Sequence, residues 1–69
     1  MDPIASKADW IERCARHFQT VAGLGEPVSF HIAEACWLNA LDNYGTCAAV
    51  LAVSPEEEAD EEMQYWGGD

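Results

Sequence analysis

The chain has 69 residues and 13 carboxylates against three basic side chains, a net charge of −10 with both histidines neutral, so it holds one domain at most and repels nucleic acid. A hydrophobic share of 49%, with three Trp, two Tyr and two Phe, is too high for a chain kept disordered by its charge. The longest unbroken apolar run, Cys47 to Val53, is far short of the about 20 residues of a membrane span, and Met1 to Ala5 lacks the basic and apolar regions of a secretory signal, so a cytoplasmic protein is expected.

Two helix starts lie in the first ten residues. Asp2-Pro3 offers an N-cap followed by a proline preset for the first helical position, and Ser6-Lys7-Ala8-Asp9 resembles a capping box. From there a helix is predicted over 4–22, because Trp10, Cys14, Phe18 and Val21, flanked by Ile11, Ala15 and Ala22, recur at three- and four-residue steps. Lys7, Arg13 and Arg16 fall outside that stripe. Gly23-Leu24-Gly25-Glu26-Pro27 then supplies a left-handed cap candidate and a residue unable to continue a helix.

A second helix is predicted over 29–43, capped by Ser29, with Phe30, Ala33, Trp37, Leu41 and Tyr44 inward and Ile32, Cys36 and Ala40 widening that face. Residues 46–53 form a short apolar run that reads as strand or helix; Ala48, Ala49 and Ala52 favour helix, and a lone strand would leave its backbone unpaired. A last helix over 55–66 opens with Ser54 as cap, Pro55 at the first helical position and Glu57 placed to complete a capping box. Its wheel sets Ala59, Met63 and Trp66 on one side and Glu57, Glu58, Asp60 and Glu61 on the other. Residues 67–69 read as a frayed tail. The fold class expected is therefore all-α, a single small domain of three to four short helices with the tryptophans as core anchors.

Charge is distributed unevenly. The first 25 residues balance Lys7, Arg13 and Arg16 against Asp2, Asp9 and Glu12, leaving the whole net charge on 26–69. Glu56, Glu57, Glu58, Asp60, Glu61 and Glu62 put six carboxylates into seven positions. A helix dipole favours only the first three, and the pairs 56/60, 57/61 and 58/62 set like charges one turn apart at about 0.2–0.5 kcal/mol each. A surface shaped only for folding interleaves Lys with Glu. One account is solubility for a small apolar domain. The other is an anionic face for a cationic groove, with carboxylates about 5–6 Å apart standing where Arg and Lys would hold phosphates. Glu34 and Asp42 are candidates to extend that field.

In size, charge layout and the acidic segment Ser54 to Trp66, the chain resembles the short, strongly acidic, mostly helical anti-CRISPR and anti-restriction proteins of phages and mobile elements. The resemblance implies a stoichiometric inhibitor; the residues themselves offer no catalytic, cofactor or metal site, so no enzyme is expected. The inhibitor's implied partner is a basic nucleic-acid-binding protein, a type I CRISPR effector subunit in particular, bound in the host cytoplasm by DNA mimicry as a monomer or homodimer. The alternative is a small acidic interaction or regulatory module without mimicry, which recognises its target mainly by apolar contacts. Tyr65-Trp66 beside the acidic face reads either as core or as an interface edge.

Other chemistry finds less in the sequence. Cys14, Cys36 and Cys47 are odd in number and widely spaced, which suits buried packing thiols better than a disulfide scaffold or the tight cysteine pairs of a zinc site with His17 and His31. A Cys14–His17 nucleophile pair would also need an oxyanion site and a cleft. No calcium-loop pattern occurs in the acidic run.

Overall fold

A computed structural model describes residues 6–67 and shows an all-α fold of four helices: α1 (Lys7–Ala22), α2 (Glu26–Tyr44), α3 (Cys47–Leu51) and α4 (Pro55–Gly67). α1 starts at the second of the two candidate positions, where Ser6 Oγ accepts the Asp9 N–H at 3.2 Å; the Asp2-Pro3 start and residues 68–69 lie outside the described residues. Gly23 closes α1 at φ +72° and Gly45 closes α2 at φ +92°, left-handed backbone at which a Cβ would be strained.

α2 begins three residues earlier than expected. Pro27 sits in its first turn rather than breaking the chain, since an N–H missing there has no intrahelical acceptor to lose, and Gly25 enters with extended backbone and no side-chain cap. Ser29 is consequently not a cap. It is buried, its Oγ donating to the Glu26 carbonyl at 3.0 Å and accepting from Gln19 Nε2 at 2.9 Å, which ties α2 back onto α1. Ser29→Ala should cost about 1–3 kcal/mol in denaturant unfolding by stranding the Gln19 amide.

The short apolar run is helical, as α3, with Thr46 Oγ1 accepting the Ala49 N–H at 3.1 Å. Ser54 Oγ accepts the Glu57 N–H at 3.3 Å at the head of α4, but its own hydroxyl goes to the Glu56 carboxylate at 3.0 Å.

The core gathers Trp10, Ile11, Cys14, Ala15 and Phe18 from α1, Ala33, Cys36, Trp37 and Ala40 from α2, Val50 and Ala59. Trp10 and Trp37 meet edge to face at 5.4 Å, and Trp10 Nε1 donates to the Val53 carbonyl at 3.2 Å, pinning the turn before α4. Four expectations need correction. Trp66, expected with Trp10 and Trp37 as a core anchor, is 41% exposed near the end of α4. Val21 is 59% exposed at the end of α1. The buried stripe of α2 runs through Ser29, Ala33, Cys36, Trp37 and Ala40, so Phe30 and Tyr44 lie at its exposed margins. Cys47 is exposed, because α3 opens with that residue on its outer side; Cys14 and Cys36 are buried as expected.

Candidate partner-binding site

The pairs Arg13–Glu56 and His17–Asp60 advance together along both helices, so α4 lies parallel to α1 with one edge against it. Arg13 grips Glu56 with two bonds, Nε to Oε2 at 3.1 Å and Nη2 to Oε1 at 2.9 Å, and His17 Nε2 lies 2.8 Å from Asp60 Oδ1. The four-residue step between Arg13 and His17 matches that between Glu56 and Asp60, which lets one turn of each helix face the other. The six carboxylates therefore do not form one uncompensated wall. Arg16 turns instead to Glu12 on its own helix, at 2.7 Å, and the Lys7 ammonium sits 6.0 Å from the centre of the Trp37 ring.

Away from α1, the acidic helix meets α2 across a groove of about 210 Å³. Cys36, Asn39, Asp42 and Asn43 form one wall; Glu58, Glu61, Glu62 and Tyr65 form the other. Four carboxylates thus line the groove and no basic residue does. Tyr44 donates its hydroxyl to Glu58 Oε2 at 3.1 Å, and Trp66 Nε1 donates to Glu62 Oε2 at 3.4 Å, holding both carboxylates along the rim. Glu57 and Glu61 are exposed, and among the described residues neither forms an ion pair. Trp66 keeps contact with the body by stacking on Phe18 at 5.3 Å, while Tyr65 is 83% exposed.

Asp42 therefore joins Glu58, Glu61 and Glu62 as sequence reading proposed. Glu34 does not; it lies in a separate crevice beside Lys7, Ala8, Ile11 and Phe30. Asn39 and Asn43 enter the groove without having been singled out, although their three- and four-residue steps around Asp42 and Asn39 mark a polar edge on α2. Among the described residues no group of three or more His, Cys, Asp or Glu is arranged to hold a metal ion. No helix is long and apolar enough to cross a membrane among them either.

Protonation follows this geometry. Partial burial pushes the Glu56 carboxyl up, but hydrogen bonds from Arg13, its own backbone N–H and Ser54, with the Arg13 charge, outweigh it and hold Glu56 below its ordinary 4.5. Hydrogen bonding to Glu58 and that carboxylate's charge push the Tyr44 hydroxyl up. Cys14 is held protonated chiefly by its thiol contact with Cys36, then by burial.

A lowered carboxyl contributes stability that is present above its ordinary value and is lost as pH falls through the folded one. Arg13→Ala should accordingly cost up to about 1 kcal/mol at pH 7, the pair being partly exposed, and the gap to wild type should close in urea titrations as pH falls below 4.5.

Comparison with protein-family models, with curated proteins and with solved structures returns no match to this chain.

Proposed function

We propose that the chain is a stoichiometric inhibitor that sets its acidic α2–α4 side against a basic, nucleic-acid-binding surface of a defence effector and so occupies sites meant for phosphates. The observation that carries this reading is the convergence of Asp42 with Glu58, Glu61 and Glu62 on one groove that has no cation in its lining. Arg13 and His17 bond Glu56 and Asp60 at the opposite edge of α4, while the groove carboxylates form no ion pair among the described residues. Glu57/Glu61 and Glu58/Glu62, each one turn apart, give carboxylates about 5–6 Å apart, suited to Arg and Lys side chains that otherwise follow a nucleic-acid strand. On the anti-CRISPR and anti-restriction resemblance, a type I CRISPR effector subunit is the first target to try.

The reading assigns no catalytic step to the chain; its one thiol close to a histidine in sequence, Cys14, is buried and held protonated. A second reading, a small acidic interaction or regulatory module without mimicry, is favoured by the exposure of Tyr65 at the groove's mouth. Binding to a purified effector with and without competing DNA separates the two. DNA should displace the protein under mimicry; a complex indifferent to saturating DNA would reject it.

A further inference from the structure

Cys14 on α1 and Cys36 on α2 are free thiols, both buried in the core. Gln19 meets Ser29 and Trp10 meets Trp37, so α1 and α2 run antiparallel and the two cysteines lie between those contacts on one seam. There the thiols touch. Ala15 follows Cys14, while Ala33 and Ala40 stand one turn to either side of Cys36, and all three are fully buried. Side chains this small let two backbones approach closely, as a disulfide requires. Cys36 also lines the groove between α2 and α4, which gives one of the two sulfurs a way out to solvent. We propose that Cys14 and Cys36 are a redox pair, which an uncharged peroxide entering from the groove converts into a disulfide tying α1 to α2.

The groove sets the order of events. Cys36 reacts first: its sulfur attacks one peroxide oxygen, the O–O bond breaks, and the thiol proton leaves with the released hydroxide as water. Cys36 is then a sulfenic acid. Until that step Cys14 is held protonated, chiefly by its hydrogen bond to Cys36 and then by burial. Oxidation of Cys36 consumes that partner. The Cys14 sulfur next attacks the Cys36 sulfur, the S–O bond breaks, and hydroxide leaves with the Cys14 proton as a second water. Two thiols and one peroxide thus give one disulfide and two waters, with both sulfurs oxidised and both peroxide oxygens reduced.

Charge selects the oxidant. Asp42, Glu58, Glu61 and Glu62 line the approach to Cys36, so an anionic disulfide such as oxidised glutathione is repelled where neutral hydrogen peroxide is not. Because Cys36 is only 4% exposed, the reaction is slower than at the exposed Cys47. The bridge, once formed, closes the α1–α2 hairpin into a loop and removes freedom from the unfolded chain.

The test uses the full chain with Cys47→Ser, since Cys47 would otherwise react first and cross-link copies. Folded protein is treated with hydrogen peroxide or with oxidised glutathione at equal concentration, then alkylated, digested and mapped by mass spectrometry. Peroxide should give a monomer lighter by two hydrogens and a peptide pair linked through Cys14 and Cys36. Its melting temperature should rise by at least about 10 °C and return with dithiothreitol. Oxidised glutathione should form the same link at least about tenfold more slowly. Two free thiols after peroxide treatment, a link that forms only in urea, or a linked protein that melts no higher overturns the proposal. Equal rates with the two oxidants overturn the route through the groove.

Discussion

If the acidic groove binds a basic effector as proposed, reversing Asp42 and Glu61 to lysine should weaken that binding about 100-fold at low salt while making the protein slightly more stable. The opposite signs follow from where the two residues sit. Asp42 lies in the last turn of α2, where the helix dipole disfavours an anion and welcomes a cation by about 0.3–1 kcal/mol. Lysine at 61 stands one turn after Glu57 in the favourable order, changing a like-charge pair into an ion pair worth about 0.2–0.5 kcal/mol. Binding moves the other way, because both carboxylates leave the groove and each substitution changes the local charge by two. At about 1.4 kcal/mol per site the loss is about tenfold each. Thermal melts and titration against the effector read the two effects separately. Increased stability with unchanged affinity would place the binding surface elsewhere on the molecule.

Asp60 is a poor choice for the same experiment, and the reason shows what the sequence could not convey. On a helical wheel Asp60 sits among the outward carboxylates, and only packing turns it toward His17. Wheels place residues around one axis. They do not say which neighbour stands at which angle, so the split of α4 into an edge bonded to α1 and an edge facing away appears only once α1 lies parallel to it. The sequence places the basic residues of α1 outside its apolar stripe but not against any partner, and Arg13 joins α4 while Arg16 stays with Glu12.

Local signals fared better where their chemistry admits one outcome. Gly23 and Gly45 close helices with positive φ, and Ser54-Pro55 opens α4, as their backbone preferences require. Proline is less decisive, because it excludes a helix interior but suits a first turn; Pro27 takes the second role and shifts the start of α2 to Glu26. Ser29 illustrates the same ambiguity. A serine near a helix start caps it when exposed and bridges two helices when buried, and only the contact with Gln19 decides.

Trp10→Ala should abolish cooperative folding at 37 °C. The indole is fully buried, crosses Trp37 edge to face and donates to the Val53 carbonyl, so its removal empties the contact between α1 and α2 and frees the turn that launches α4. Truncating a buried tryptophan costs about 3–5 kcal/mol. At the usual 0.05–0.15 kcal/mol per residue a chain of this length has only about 3–10 kcal/mol in total. Trp10→Phe separates the two contributions, since it retains most of the ring but removes the donor and leaves the Val53 carbonyl unpaired. The expected cost is about 1–3 kcal/mol with the helices kept, measured by urea denaturation followed by circular dichroism. Equal stability of Trp10→Phe and wild type would show that the indole bond to Val53 contributes nothing, and that α4 is held to α1 by its own side chains, through Arg13–Glu56, His17–Asp60 and the Phe18–Trp66 stack.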